Sequence, residues 1–178
     1  TEMTASMIPP VDNPPPPAPA PPTSIALSTA RPNGLVPDFT KIPIAFQSRV
    51  AMTISCTDAD HLPRVPNAGD IIDHQNGRVQ VMHNGVLVED GCYYGTLTSE
   101  IIRCLRGIHE PQEEVAFAAI LNRLAETLPA NRTPTMIELG SFWAYYSLWF
   151  LNEFPDGTSI CLEPDAHHLE VGQRNFAI

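Results

Sequence analysis

TMIELGSFWAYYSLWF, Thr135 to Phe150, changes its periodicity midway. Thr135 to Leu139 is an apolar run of strand length. From Trp143 to Phe154 aromatic and aliphatic residues recur at helical spacing and predict a strongly apolar helix. Two residues between these elements fit neither. Glu138 is a poor core residue at a strand's end, and Gly140 weakens the pairing of an apolar run. A backbone that bends sharply beside a ligand accounts for both.

Reading downstream, Asp156-Gly157 turns the chain and TSICL (Thr158 to Leu162) predicts a second strand. A further helix is expected from Asp165 to about Phe176. Strands alternating with helices of this length imply a parallel sheet with right-handed crossovers. Upstream, HEPQEEVAFAAILNRLAETL (His109 to Leu128) carries the clearest helix signal. Pro111 suits its first turn, and Glu113 and Glu114 favour the positive end of the helix dipole. Phe117, Ile120, Leu121, Leu124 and Leu128 form one apolar stripe.

TSEIIRCLRG (Thr98 to Gly107) predicts a short helix, with Thr98 or Ser99 as N-cap and Gly107 just past its C-terminus. Before it, RVQVMHNGVLVEDG places Asn84-Gly85 between two β-rich runs, the signature of a tight hairpin whose turn needs positive φ. CYYGT (Cys92 to Thr96) predicts a third extended piece. VAMTISC (Val50 to Cys56) alternates as a strand does.

The chain is 178 residues long and opens with a proline cluster, IPPVDNPPPPAPAPP (Ile8 to Pro22). That composition cannot bury enough apolar surface to offset its ordering entropy and reads as a disordered tail over 1–40. Residues 41–107 form a β-hairpin and helix region, and 108–178 an α/β unit. Net charge is −10 with no run of Lys or Arg, which argues against nucleic acid or an anionic membrane as partner. No apolar run reaches the ~18 residues that span a bilayer. The four cysteines have no metal-site or redox-pair spacing. His167-His168 point about 100° apart on a helix and are poor joint ligands, so no metal site is expected. A soluble, cytoplasmic protein in a reducing compartment is the expectation.

Two acids stand out for chemistry. Glu138-Leu139-Gly140 closes the first strand of the α/β unit, and Glu163-Pro164 closes the second. Ligands of open α/β sheets bind outside the carboxyl ends of the strands. Gly140 lets the backbone turn close to a ligand without a Cβ in the way. A carboxylate after the second strand accepts from two vicinal ribose hydroxyls. Pro164 holds Glu163 extended, so its side chain points out from the strand end. A dinucleotide would need G-x-G-x-x-G to seat its pyrophosphate on bare backbone. Here Gly140 is followed by Ser-Phe-Trp-Ala-Tyr-Tyr, which suits a phosphate-free nucleoside such as cationic S-adenosylmethionine. Glu138 adds favourable charge for it.

The segment MIELGSFWAYYSLWFLNEFPDGTSICLEPDAHHLEVGQRNF resembles the FkbM-type class I methyltransferases. Their first motif reads like I-D-V-G-A-N-I-G-Y-Y-S-L and is followed by a strand ending in E-P-(N/D). Ile137, Gly140, Tyr145, Tyr146, Ser147 and Leu148 match in register, and Glu138 is a conservative acidic match. Glu163-Pro164-Asp165 match the second motif. Phe142 and Ala144 depart from the pattern, standing where Asn and Gly are expected. The resemblance is specific over Met136 to Phe176 and extends more loosely upstream to about Met82.

The resemblance implies a Rossmann-like fold of which only the first βαβα units are present. It implies methyl transfer from S-adenosylmethionine to a small-molecule acceptor, commonly a hydroxyl oxygen of a sugar or secondary metabolite. Cofactor contacts then fall to Glu138, Gly140 and Ser141, with Tyr145 at the helix start and Glu163-Pro164 at the ribose. His109 and Glu110 are candidates to line the acceptor pocket, one as general base; capping of the long helix is the other reading. Class I folds need about seven strands, so the sequence reads as the N-terminal part of a longer enzyme, binding the cofactor weakly or not at all on its own. A nicotinamide-dependent oxidoreductase and a non-catalytic interaction module are the alternatives.

Overall fold

The computed structural model describes residues 35–75 and 77–178. The proline cluster lies outside them. Leu35 to Thr40, the end of the expected tail, is tied down. Asp38 N–H donates to Glu100 Oε2 at 2.9 Å, and Arg103 donates to the Val36 carbonyl at 2.7 Å. A single 3-10 turn, Phe39–Lys41, follows.

Val50 to Cys56 is not a strand. Val50 to Ser55 forms the second half of helix α1, Ile44–Ser55, and Cys56 is its C-cap. Val50, Ala51 and Ile54 are its buried residues, and Val50 and Ile54, four apart, share one helical face. Pro43 stands at the N-cap, where a missing N–H is harmless.

A three-stranded antiparallel sheet comes next: β1 Ile71–His74, β2 Gly77–Val81 and β3 Leu87–Glu89, in that order. The Asn84-Gly85 hairpin is present between β2 and β3, with Val81 opposite Leu87 and Gly85 at φ +88°. Cys92 to Gly95 is a turn rather than a strand, and Thr96 already opens a helix. Gly91, Tyr94 and Gly95 all have positive φ, which no extended piece accommodates. Helix α2 runs Thr96–Cys104, starting two residues before the expected cap. Gly107 (φ +88°) reverses the chain after it and lies so close to the segment following β2 that a Cβ would collide with the backbone of Met82 and His83.

Helix α3 spans Pro111–Thr127, with Pro111 in its first turn. Strand β4 (Thr135–Leu139), helix α4 (Tyr145–Glu153), strand β5 (Thr158–Leu162) and helix α5 (Ala166–Phe176) follow. β4 and β5 pair in parallel, Thr135 opposite Thr158 and Leu139 opposite Leu162. The fold is therefore mixed α/β with two small sheets.

Two apolar clusters hold these elements together. One joins Met82, Val86 and Val88 of the hairpin region to Leu121 of α3, Trp149 and Phe150 of α4, and Val171 of α5. The other joins Val50 and Ile54 of α1 to Ile101, Leu105 and Ile108. At about 25 cal/mol per Å² of apolar area, each large side chain buried here contributes roughly 2 kcal/mol. Asn175 adds a polar tie, accepting from Glu89 N–H at 2.8 Å and donating to the Trp143 carbonyl at 2.9 Å. On the β4–β5 pair, Ile137, Leu139, Ile160 and Leu162 are 45–76% exposed and form an open apolar face. No helix among the described residues is long and apolar enough to cross a membrane.

Candidate functional site

The parallel register brings the two expected strand ends side by side. Beyond β4, Gly140 N–H and Ser141 N–H both donate to the Leu162 carbonyl, at 2.8 and 3.3 Å, so the turn folds across the end of β5. Gly140 has φ +74°, and a Cβ placed on it would meet no atom within 4 Å. Its glycine is thus required by backbone conformation, and the space beside it is open. Ser141 is buried.

Glu163 follows β5 on the same edge. Its side chain is only 6% exposed. Oε2 accepts from Phe142 N–H and Oε1 from Asp165 N–H, both at 3.0 Å. Asp165 caps α5 by accepting from His167 and His168 N–H, which holds its carboxyl below the usual range. Phe142 lies over this corner, its ring stacked on His168 at 3.7 Å between centroids. Pro164 is exposed.

Glu138 shares the edge but turns to the other side of the turn. With Met136 it faces α4, where it accepts from Ser147 N–H at 3.1 Å and from the Ser147 hydroxyl. Ser159 and Cys161 of β5 also reach Ser147 Oγ, at 2.7 and 3.1 Å. Burial pushes the Glu138 carboxyl up, and the two Ser147 bonds oppose it. Glu138 therefore completes the first turn of α4. Among the described residues, two open cavities have volumes of about 510 and 360 Å³, and neither Glu138 nor Glu163 lines them.

Tyr145 is separated from Glu163. It is fully buried, and its hydroxyl donates to Glu114 Oε2 at 3.3 Å. There it joins His109 and Glu110 in a buried ionic cluster. Glu114, completely buried one turn into α3, reaches back with Oε1 to accept from His109 N–H at 2.8 Å and His109 Nδ1 at 2.6 Å. On the other side of the ring, His109 Nε2 meets Glu110 Oε2 at 3.1 Å. His83 Nε2 stands 3.4 Å from Glu114 Oε2, while His83 Nδ1 donates to the Pro63 carbonyl. Burial disfavours a charge on His109, but the bonds to Glu110 and Glu114 outweigh it and raise its pKa to about 9. For His83 burial wins and the pKa falls.

His109 is consequently an imidazolium at neutral pH, with both nitrogens occupied. That protonation state suits an ion-pair anchor or an acid, not a resting general base. Glu110 stands at the N-cap of α3 but makes no side-chain cap bond; Glu114 instead accepts from the His109 and Glu110 N–H groups ahead of the helix. Two members of the cluster, Glu114 and His83, carried no sequence signal beyond a helix-dipole charge and a hairpin residue. Tyr93 links cluster and strand edge, stacking on Trp143 at 4.7 Å and touching Phe142 at 5.2 Å.

Comparison of the chain with protein-family models, curated proteins and solved structures finds no match.

Proposed function

We propose that the β4–α4–β5–α5 unit is the nucleoside-binding part of a Rossmann-like, S-adenosylmethionine-dependent methyltransferase acting on a hydroxyl oxygen of a small-molecule acceptor. One observation carries this reading. Two adjacent parallel strands end in a glycine turn with open space above Gly140 and in the Glu163 carboxylate beside it. That is the arrangement in which an α/β sheet receives a ribose at its carboxyl edge. The motif resemblance over Met136 to Phe176 supports the choice of donor. Phe142, Trp143 and Ala144 carry side chains where a pyrophosphate would need bare backbone, which favours a phosphate-free nucleoside.

In this reading Glu163 accepts from the ribose hydroxyls and Gly140 and Ser141 line the approach. Glu138 acts by holding α4 against the turn, so it is a positioning residue. His109, Glu110 and Tyr145 brace the segment that follows the turn from beneath.

The test is a titration of the chain with millimolar S-adenosylhomocysteine followed by amide NMR. Shifts confined to Gly140, Ser141 and Glu163, and abolished by Glu163→Gln, are expected. Shifts elsewhere in the chain, or shifts indifferent to Glu163→Gln, would refute the assignment.

A further inference from the structure

The Glu163 side chain is only 6% exposed although the residue sits between two exposed neighbours, Leu162 and Pro164. Phe142 lies beside it, and several contacts hold Phe142, its ring meeting Tyr93 at 5.2 Å and Tyr94 at 5.8 Å as well as His168. Its N–H is bonded to Glu163 Oε2, its ring lies flat on His168 at 19°, and its carbonyl packs so closely over Gly172 that a Cβ there would approach within 2.7 Å. These contacts fix Phe142 at φ +38°, a conformation a bulky residue seldom adopts. Rings 3.7 Å apart are in van der Waals contact, so nothing planar fits between them.

We propose that Phe142 and His168 form an aromatic latch over Glu163, and that the latch selects a purine nucleoside with a free 2′,3′-diol. This rests on the nucleoside reading of the strand edge given above. When closed, the site fills itself: Phe142 N–H occupies Glu163 Oε2, and the Phe142 ring occupies the face of His168. Opening exchanges like for like. Ribose hydroxyls replace the amide on the carboxylate, and a purine replaces the phenyl ring on the imidazole. Because each contact formed replaces one broken, the latch lowers affinity for every ligand and does so least for one that supplies both a diol and a flat base.

Adenosine is the direct probe, titrated calorimetrically into the full chain, with 2′-deoxyadenosine as control. Phe142→Asn removes the ring and substitutes a residue at ease with positive φ. It should fold as well as the parent and bind adenosine at least about 10-fold more tightly. The gain should vanish in Phe142→Asn/Glu163→Gln and should not extend to 2′-deoxyadenosine. In the parent chain, adenosine should speed exchange of the Phe142 amide hydrogen as the latch opens. If Phe142→Asn gains nothing and the Phe142 amide stays protected, while Glu163→Gln weakens adenosine binding, the latch is wrong and the ribose site stands. If Phe142→Asn binds no adenosine at millimolar concentration, or binds it regardless of Glu163, the nucleoside reading fails and the latch with it.

Discussion

His109 makes the stability of this chain depend on alkali. An ordinary histidine titrates near 6.5 and His109 near 9, and at about 1.4 kcal/mol per pH unit the difference amounts to about 3 kcal/mol. Because the folded value lies above the unfolded one, this stabilisation is complete below pH 6.5. It drains away as the pH rises through 9, when the folded state must give up a proton that the unfolded chain has already lost. The source is local. Glu114 Oε1 sits 2.6 Å from Nδ1 and Glu110 Oε2 sits 3.1 Å from Nε2, within a site that is 4% exposed at His109 and closed at Glu114.

Urea unfolding between pH 6 and pH 10 measures the effect. Lysines, tyrosines and cysteines also titrate there, so the informative quantity is the difference between the parent and His109→Gln, which keeps a donor near Glu110 but has no charge to lose. The parent should lose about 3 kcal/mol more than the variant over this range. Glu114→Gln should cost about 3 kcal/mol at pH 6, by leaving His109 buried with half of its pairing, and should flatten the alkaline slope. Parallel pH profiles for parent and His109→Gln would show that His109 is not held charged in the folded chain, and the ionic account of the cluster would fall.

Ser147→Ala should destabilise the chain by about 2 kcal/mol in chemical denaturation, since the Ser147 hydroxyl joins Glu138, Ser159 and Cys161 and its loss strands part of a half-buried carboxylate. A loss below 0.5 kcal/mol would mean that Glu138 is solvated. Ile137→Lys together with Ile160→Lys should leave the unfolding free energy within about 1 kcal/mol, because both side chains are exposed, yet reduce self-association in sedimentation velocity. Unchanged sedimentation would show that the open face of β4–β5 is not a contact surface in solution.

The α/β unit was legible because its signals are local. Strand lengths, Asp156-Gly157, Gly140 and the Asp165 cap each act within a few residues, and β4, β5 and α5 fall where the pattern puts them. α1 was not legible from VAMTISC, since over seven residues a Val50–Ile54 spacing satisfies both alternation and a helical face. What marks the helix lies outside that window, in Pro43 and in Gln47, which donates to the Phe39 and Ile42 carbonyls. Tyr93-Tyr94 have β-favouring side chains, but Gly91 and Gly95 on either side turn the backbone. The ionic cluster could not be read at all: Glu114 and Tyr145 are 31 positions apart, and only the packing of α3 against α4 makes them neighbours.

Phe142 and Ala144 show how a departure from a motif becomes physical. The resembling family pattern carries Asn and Gly at these positions, the two residue types most at ease with positive φ. In this chain Phe142 has φ +38° and Ala144 φ +60°, so two residues with a Cβ hold a conformation that Asn and Gly adopt more readily. Each residue costs about 1 kcal/mol in that region. The stack on His168 opposes the first penalty. The second is offset by Ala144 being 1% exposed, with its methyl group beside Gly172. Substitution at Gly172 would disturb the first compensation, because a Cβ there would come within 2.7 Å of the Phe142 carbonyl. The turn that exposes Gly140 therefore depends on a helix more than twenty-five residues further along the chain, and a motif search confined to Glu138–Ser147 cannot see it.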